Sequence, residues 1–486
     1  MMNRRRFLKQ SLLATASLAV WSGCKTASPR PRVRVRSANE TIHVAVVGFG
    51  GRGQDHIKAF RALPNVRVTA LCDADRDILE REVRRFRDRG EPVEAYTDIR
   101  KLLEKAPVDV VSIATPNHWH ALAAIWSVQA GKDVYVEKPG SHNVFEGHQL
   151  VEAARKYGAI VQVGTQCRSS AGLREAVAWI QAGGHLGRIL RVRGLCYKRR
   201  DSIGLTQGPQ PIPVSVDYDL WLGPAPFKPL RRARFHYDWH WFWDTGNGDL
   251  GNQGVHQMDI ARWILGQQEL SPAVLAIGGR LGYVDDAETP NTLIVFHDYK
   301  PAPLLFEVRG LPERTGSNTM DNYRGAAIGV VVDCEGGSVV IPSYTRAIVY
   351  DRTGKQMRVF DGGGNHYANF IEAVRNRQPA HLHSDALEGH LSAALCHTAN
   401  ISYRLGRPSS PETLRDAVRN LPEVQEMLGR MEEHLAANQV NIRVTPVVLG
   451  RLLRMNPRRK TFRGDREANM LLTREYRPPF VVPKRV

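Results

Sequence analysis

Cysteine is scarce in this sequence, and no part of the sequence is apolar over a long run. The six cysteines among its 486 residues form no CxxC pair and no spacing typical of metal ligands, which argues against a cysteine-bound metal. No apolar run is long enough to span a bilayer. Internal repeats and low-complexity tracts are also missing. These absences leave a globular protein, and its length predicts more than one domain.

The basic residues are concentrated at the two ends of the chain. The formal net charge is +18, which would suit a nucleic-acid partner. However, residues 1–36 contain nine basic and no acidic residues, and residues 443–485 contain twelve basic against three acidic. Residues 37–442 therefore have no net charge, and we expect no nucleic-acid partner. The basic C-terminal segment is then a solvated surface, a subunit contact or a membrane-facing patch.

Residues 1–36 are predicted to lie outside the fold. Three arginines at 4–6 precede Phe7, Leu8 and Lys9, and a short apolar stretch follows, which resembles a twin-arginine export signal. We therefore expect an exported, periplasmic protein that folds before transport and needs no disulfides. The stretch WSGC, which ends at Cys24, resembles a lipoprotein processing box with an unusual tryptophan. A lipid anchor at Cys24 is the alternative to simple cleavage.

Residues 41–53, TIHVAVVGFGGRG, predict a dinucleotide site. A β-branched apolar run at 42–47 reads as a buried strand, and residues 54–63 as a helix. The three glycines of GxGxxG between them allow a tight turn, approach of main-chain amides to a pyrophosphate and close packing of helix on strand. The helix N terminus favours the phosphate charge. The turn residues expected to contact the cofactor are Gly48, Phe49, Gly50, Gly51, Arg52 and Gly53.

The next strand, predicted at 66–72, ends at Asp73. A carboxylate there can accept hydrogen bonds from the adenosine ribose and would repel a 2′-phosphate, so NAD is favoured. Arg76 close behind leaves NADP open. Strands at 108–114, 133–136 and 159–163 alternate with helices at 78–86, 121–130 and 148–157, which predicts a parallel doubly wound sheet. Further cofactor contacts are expected where these strands end, at Thr115, Asn117, His120, Glu137, Lys138 and Gln166.

From about residue 167 the pattern becomes that of an α+β domain. Strands are predicted at 190–197, 273–279, 293–296, 304–308, 328–333, 338–341 and 347–351, with helices at 174–182, 251–265, 367–376 and 388–403. This predicts a mostly antiparallel, open-faced sheet with helices on one side. The expected domains are 37–166, a Rossmann domain, and 167–410, for substrate and oligomerisation, followed by an extension at 411–486. An open sheet face favours a homodimer or tetramer.

Four motifs in order, GFGGRG, TPNHWH, VEKP and GDLGNQGVHQMD, resemble the Gfo/Idh/MocA oxidoreductase family over residues 41–405. The resemblance implies a Rossmann domain joined to an open-faced sheet domain and NAD(P)-dependent oxidation of a sugar or cyclitol secondary alcohol. It also implies that Lys138 meets the reacting hydroxyl beside the nicotinamide, where a cation stabilises developing alkoxide charge. By the same resemblance, Glu137 holds the nicotinamide ribose.

His256 is the second catalytic candidate. The family pattern has an aspartate four residues before a histidine base, and here Asn252 takes the aspartate position. A continuous helix at 251–265 would place Asn252 and His256 on one face. Because an amide cannot stabilise an imidazolium as a carboxylate does, His256 is either the base or a neutral ligand-binding histidine. Asp249 or Asp259 could supply the missing charge.

An aromatic stretch, HYDWHWFWD at 236–244, suits stacking on sugar rings with hydroxyl hydrogen bonds, although some of these rings must be core. The substrate candidates are Arg168, His240, Trp243 and Asp259. An ion pair is the alternative role for Arg168. A metal triad of His236, His240 and His256 is not expected, because no HExxH or carboxylate-supported pattern accompanies them.

Three functions fit these observations. The first is an NAD(P)-dependent oxidoreductase acting on a secondary alcohol of a sugar or cyclitol. The second is a redox-neutral glycoside hydrolase or epimerase, in which bound NAD takes a hydride from the ring and returns it. The third is a non-enzymatic, exported sugar-binding protein that keeps its cofactor for structure. An exported enzyme has no soluble nicotinamide pool to draw on, so we expect it to hold its cofactor tightly.

Overall fold

A six-stranded parallel sheet forms the first part of the structure. The structure, a computed structural model, describes residue 37 and residues 39–486; the predicted export signal and the Cys24 box lie outside the described residues. The strand order is β3-β2-β1-β4-β5-β6. The strands are β1 Ile42–Val47, β2 Val66–Cys72, β3 Glu94–Tyr96, β4 Val110–Ile113, β5 Asp133–Val136 and β6 Val161–Val163. This is the doubly wound dinucleotide-binding order, and it confirms the predicted Rossmann domain.

Helices cover both faces of this sheet. They are α1 Gly53–Arg61, α2 Arg76–Asp88, α3 Ile99–Lys105, α4 Asn117–Gln129 and α5 Val144–Tyr157. Side chains of β1 alternate between two cores: Val44 and Val46 pack on one face, and Ala45 and Val47 on the other. This period of two is what a strand buried on both sides requires.

Two details of the Rossmann part differ from the prediction. The sequence analysis missed β3 and α3, because β3 is an edge strand whose residues are exposed or half-buried and give no apolar run. The stretch Asn117 to His120 is not a loop but the first turn of α4. Its side chains therefore lie at a helix N terminus directly beyond β4.

A second, larger sheet follows, and it is mostly antiparallel as predicted. Its main path runs β14-β13-β12-β11-β7-β10-β9-β8-β16-β15. Among the described strands of this second sheet, only β7 and β10 pair in parallel. The strands are β7 Ile189–Tyr197, β8 Ala273–Gly279, β9 Thr292–His297, β10 Leu304–Arg309, β11 Ile328–Cys334, β12 Gly337–Ile341, β13 Arg346–Asp351, β14 Gln356–Asp361, β15 Arg407–Ser409, β16 Val447–Leu449, β17 Leu453–Asn456 and β18 Thr461–Phe462.

Helices that pack on one face of this sheet include α6, α9 and α11. The helices of this part are α6 Ala171–Gln181, α7 Tyr218–Leu222, α8 Gly248–Asn252, α9 Gly254–Ile264, α10 His366–Asn376 and α11 Ala386–Arg404. The predicted continuous helix at 251–265 is wrong, because a turn at Gln253 separates α8 from α9. Glycines flank this turn, and a Cβ at Gly254 would lie 2.9 Å from the Phe306 ring. Glycine weakens helix continuity there and permits this close packing.

Residues 411–486 are built into the same compact unit. They form α12 Pro411–Ala417, α13 Pro422–Ala437 and α14 Arg466–Met470, and they supply β16 and β17, which pair with β8. Met427 and Leu435 of α13 pack on Ile277 and Phe296 of the sheet. The face expected to be open is thus partly covered by a helix from the same chain. Within the described residues, no helix has both the length and the apolar character needed to cross a membrane.

A buried ion network lies between α13 and the middle of the second sheet. The Glu307 carboxylate accepts from Arg193 at 2.6 Å, from Arg430 at 2.9 Å and from Arg309 at 3.3 Å. The Tyr197 hydroxyl donates to it at 2.6 Å. Burial opposes the charge of Glu307, but the arginines outweigh burial and lower its pKa. The network therefore ties α13 to β7 and β10.

Candidate functional site

A cavity of about 490 Å³ opens where the parallel strands end and the second sheet begins. Ligands of open α/β sheets bind at this edge. Residues from the Rossmann part that line it include Gly48, Gly50, Gly51, Arg52, Asp73, Thr115, Asn117, His120, Glu137 and Lys138. Residues from the second part include Lys198, Arg200, His236, Tyr237, Trp239, His240, Asn252 and Gln253. The structure thus brings together most of the predicted cofactor residues.

The glycine turn has a geometry that fits a pyrophosphate. Gly48 has φ +77°, and a Cβ there would lie 2.7 Å from the Thr115 amide nitrogen. A Cβ at Gly53 would lie 2.1 Å from the Gly48 carbonyl oxygen, whereas Gly51 faces open space with no atom within 4 Å. No side chain caps the N terminus of α1. Main-chain amides at this end therefore remain available to an anion.

Asp73 is held in place by the same turn. Its Oδ2 accepts a hydrogen bond from the Phe49 amide at 3.1 Å, and its Oδ1 accepts from the Asp75 amide at 3.0 Å. Burial raises the pKa of Asp73. The carboxylate still has free lone pairs at the cavity wall, as a ribose contact requires. The Phe49 side chain, by contrast, is buried in the core and does not line the cavity.

Side chains beyond β4 are held by main-chain carbonyls. The two ring nitrogens of His120 contact the Thr115 and Pro139 carbonyl oxygens at 2.7 and 2.6 Å, and burial lowers the pKa of His120. His120 thus joins the turn after β4 to the segment after β5. Asn117 donates to Asn247 at 3.1 Å. Thr115 Oγ1 is buried without a hydrogen-bond partner among the described residues, so a bound ligand could satisfy it.

Glu137 is a buried carboxylate fixed by several donors. Its Oε1 lies 3.0 Å from Arg52 Nε, 3.1 Å from His56 Nε2 and 3.2 Å from Gln166 Nε2. Burial opposes its charge, but His56 and the neighbouring cations hold its pKa well below the usual range. Gln166 therefore reaches the site only through Glu137. Sequence reasoning missed His56, which is a single histidine on a helix and carries no positional signal.

Lys138 comes directly after Glu137 in the sequence, beyond the end of β5. Its Nζ donates a hydrogen bond to the main-chain carbonyl of Asn252 at 2.9 Å. Among the described residues no carboxylate forms an ion pair with it. Burial lowers the pKa of Lys138, although Glu137 partly opposes that shift. A buried amine of lowered pKa can exchange a proton with a substrate hydroxyl.

His256 does not line the cavity. Its ring packs on Tyr344 with centroids 5.0 Å apart, and its Nδ1 has no hydrogen-bond partner in the described part of the chain. Burial, together with Lys138, lowers the pKa of His256 to about 3. Neither Asp249 nor Asp259 hydrogen-bonds to it, because Arg200 and Arg168 hold those carboxylates. The sequence analysis named them as residues that could supply the missing charge, and the structure pairs both with arginines instead.

The substrate candidates are divided among different regions. His240 lines the cavity, stacked on Trp239 with ring centroids 3.7 Å apart. Trp243 lines a separate cavity, where Arg404 lies over its ring. Of the two roles considered for Arg168, a substrate contact and an ion pair, the structure shows the ion pair. Its nitrogens contact both carboxylate oxygens of Asp259 at 2.9 Å.

The three histidines considered as a metal triad do not act together. His236 Nε2 contacts Asp75 Oδ2 at 2.8 Å, and His256 is buried against Tyr344. No group of three or more His, Cys, Asp or Glu side chains in the described residues could hold a metal ion.

Sequence reasoning also missed Lys198, Arg200 and Gln253. Lys198 Nζ donates to Gln253 Oε1 at 3.0 Å, and both residues line the cavity. Lys198 and Arg200 come directly after β7. Strand ends located the cofactor residues in the first sheet, and the same signal applied to β7 would have found these cations.

Comparison with known proteins agrees with this geometry. Residues 42–165 match the Gfo/Idh/MocA oxidoreductase family in its NAD-binding Rossmann fold. Residues 188–296 match the C-terminal alpha/beta domain of the same family. The two matched segments contain all four motifs, so the resemblance that the motifs suggest is confirmed for these segments. The first segment is matched in a Rossmann fold of the NAD-binding kind.

The proteins similar to this chain include some whose names refer to carbohydrates. Glycosyl hydrolase family 109 protein 1 of Shewanella sp. strain MR-4 is 33% identical over 170 residues, which is 32% of this chain and 37% of that protein. The chain thus matches little more than a third of that relative's length. Two solved structures share the fold: WlbA dehydrogenase from Bordetella pertussis with NADH and UDP-GlcNAcA has a TM-score of 0.53, and levoglucosan dehydrogenase with NADH and levoglucosan has 0.54. Each is 20% identical; the first covers 73% of this chain and 94% of its own, the second 74% and 95%.

Proposed function

We propose that this protein uses NAD to remove a hydride from a secondary alcohol of a carbohydrate. The observation that carries the proposal is Lys138, a buried amine of lowered pKa in the wall of the cavity. The hydrogen bond from its Nζ to the Asn252 carbonyl orients the amine without giving it a carboxylate partner. A lysine so placed can take the hydroxyl proton as the alcohol is oxidised.

The residues present fit the cofactor. Main-chain amides of the glycine turn and the N terminus of α1 would hold the pyrophosphate, and Asp73 the adenosine ribose. Glu137, fixed by Arg52 and His56, would hold the nicotinamide ribose. NAD supplies the hydride acceptor.

Lys138 Nζ receives the proton of the reacting hydroxyl. With NAD bound, the hydrogen of the alcohol carbon would leave as hydride to the cofactor, the C=O bond would form, and the O–H proton would pass to Nζ. The products would be a ketone, reduced cofactor and a protonated lysine that returns its proton to solvent. Since only neutral lysine can accept this proton, the lowered pKa of Lys138 increases the competent fraction.

The residues that line the cavity from the second part suit a carbohydrate. Tyr237, Trp239 and His240 combine ring faces with polar atoms, the combination that binds sugar rings. Burial lowers the pKa of His240 to about 3, so its ring is neutral and can donate or accept hydrogen bonds to hydroxyls. The sugar ligands named for the WlbA and levoglucosan dehydrogenases support the same substrate class.

A redox-neutral glycoside hydrolase is the second candidate. It begins with the same oxidation, which acidifies the neighbouring C–H bond, and it ends with return of the hydride to the same sugar. The similarity to glycosyl hydrolase family 109 proteins favours it. Export, which we also propose from the twin-arginine-like segment, favours it too, because the cofactor is then regenerated in place.

Product analysis of the purified protein with no added NAD tests the proposal. The probes are free monosaccharides and aryl glycosides, with products identified by mass spectrometry and reduced nicotinamide by absorbance. A dehydrogenase stops after one turnover and accumulates reduced cofactor in proportion to the NAD bound. A redox-neutral enzyme releases sugar over many turnovers without that accumulation. NAD-loaded protein that forms neither product nor reduced cofactor with any probe overturns both.

A further inference from the structure

The part of the cavity lined by Lys138, Lys198, Arg200 and His240, which we call the sugar end, contains more positive than negative charge. Lys138, Lys198 and Arg200 all line it. Arg200 is paired with Asp249, its Nη2 lying 2.7 Å from Oδ1. No carboxylate of the described residues lies within 4 Å of Nζ in Lys138 or Lys198, whose hydrogen-bond acceptors are an amide carbonyl and a glutamine. Both lysine side chains therefore lack an ion-pair partner among the described residues.

The acidic residues that line this cavity, Asp73, Asp98 and Glu137, all come from the Rossmann part. Asp73 lies beside the glycine turn, and Glu137 is engaged by Arg52 and His56. The pyrophosphate of the cofactor would be bound at the glycine turn of the Rossmann part, whereas Lys198 follows β7 of the second part. An oxidised nicotinamide near Lys138 would add a further positive charge. The cofactor therefore does not neutralise the sugar end.

The cations at this end act on one another. Burial and then Arg200 lower the pKa of Lys198. Besides burial, the cations Lys138, Arg200 and Lys198 also lower the pKa of His240. Holding like charges together in a half-enclosed cavity costs free energy, and an anionic ligand would remove that cost.

We infer that the carbohydrate substrate carries an anionic oxygen group, a carboxylate, sulfate or phosphate ester, which binds Lys198 and Arg200. The inference rests on the proposed function, since it names the class of sugar that the same cavity takes. The Lys198 ammonium gives the charge, and the Arg200 guanidinium, oriented by Asp249 and by the Tyr237 hydroxyl at 2.8 Å, gives direction. A neutral sugar could offer Lys198 hydroxyl acceptors but no counter-charge.

Calorimetric binding to the NAD-loaded protein tests this without requiring turnover. The probes are glucose, glucuronate, glucose 6-sulfate and glucose 6-phosphate, with the corresponding galactose set. The test variant is Lys198→Gln, which removes the charge and keeps a hydrogen-bond donor. The matched control is Lys355→Gln, which removes one charge at an exposed position outside the cavity. Circular dichroism and NAD content show that each variant is folded and loaded.

We expect at least one anionic sugar to bind about tenfold or more tightly than its neutral counterpart. That preference is lost in Lys198→Gln and kept in Lys355→Gln, and the probe that binds identifies the anionic group. Equal binding of neutral and anionic sugars, no binding of any anionic sugar, or a preference that survives Lys198→Gln overturns the inference. Anionic sugars that bind through Lys198 but never reduce NAD leave the subsite standing and count against the proposed function.

Discussion

Lys138 Nζ and the Asn252 carbonyl oxygen lie 2.9 Å apart, joined by a hydrogen bond between the end of β5 and the end of α8. This bond connects the Rossmann part to the second part at the amine that we propose as the proton acceptor. The turn at Gln253 that ends α8 leaves the Asn252 carbonyl without a continuing helix to satisfy it. The interruption of the predicted helix therefore creates the acceptor that orients Lys138.

Replacing Lys138 by Met should abolish hydride transfer and leave the cofactor bound. Methionine keeps much of the volume and removes the proton acceptor, so we expect a rate loss of about 10²–10⁴-fold. NAD content, measured by mass spectrometry of denatured protein, should stay near the wild-type value, because the glycine turn and Asp73 are unchanged. Loss of NAD together with activity would instead make Lys138 a cofactor-binding residue.

The pH dependence of the single-turnover rate should report Lys138. Its pKa is lowered from 10.5, and neutral lysine is the active form, so the rate should rise with pH through a midpoint below 10.5. His256, with a pKa of about 3, is uncharged near pH 7 and should add no further pH dependence to the rate there. In His256→Gln we expect the same midpoint and a rate loss below about tenfold. A hundredfold loss of rate in His256→Gln, or a rate that no longer rises with pH in that variant, would identify His256 as the base.

Substituting Gly51 by Ala should separate cofactor binding from folding. No atom lies within 4 Å of a Cβ at Gly51, so the free energy of unfolding should change by less than about 1 kcal/mol. The new methyl group points into the cavity, and we expect the variant to purify with much less NAD. Gly429→Ala in α13, also open around its Cβ, is the matched control and should retain NAD. A Gly51→Ala variant as fully loaded as the control would place the pyrophosphate elsewhere.

Asp73 should select NAD over NADP. The carboxylate accepts from the Phe49 and Asp75 amides and would repel a 2′-phosphate. In Asp73→Ser we expect the ratio of the two dissociation constants to shift toward NADP by about tenfold or more. Titration of both cofactors into protein refolded without ligand gives that ratio. NADP in the wild-type protein as purified would contradict the assignment at once.

Glu307→Gln should destabilise the fold without touching the cavity. Glu307 is 1% exposed, and its loss removes the buried carboxylate that Arg193, Arg309 and Arg430 share. Glu426 and Asp321, which are more exposed, remain as their other ion-pair partners. We expect the free energy of unfolding to fall by about 3 kcal/mol or more, measured by urea denaturation. Because the folded-state pKa of Glu307 is lowered, its contribution is present above the unfolded value and disappears as pH falls through the folded one. The gap between wild type and variant should therefore narrow in acid.

Local patterns predicted most of the elements. The strand and glycine turn at 42–53 follow from β-branched residues and backbone sterics, and the observed β2 and β5 have the predicted bounds. The edge strand β3 was missed, since its exposed residues carry no apolar period. The helix α3 was missed although Ile99 and Leu102 are buried at helical spacing, because it is only seven residues long. The covering of the second sheet by α13 could not be foreseen, because it depends on which distant face that helix packs against. The export signal, the lipid anchor and the oligomeric state stay predictions.

The sequence by itself determined the cofactor class and the position of Lys138, because both depend on residues next to strand ends in one continuous stretch. Only the tertiary structure decided what faces Lys138 across the cavity. It pairs Arg168 with Asp259, packs His256 against Tyr344, and brings Lys198 and Arg200, which follow β7, to the same cavity as Lys138. These outcomes depend on contacts between residues far apart in the chain, and the free energy of those contacts comes from burial and charge pairing that no local pattern encodes.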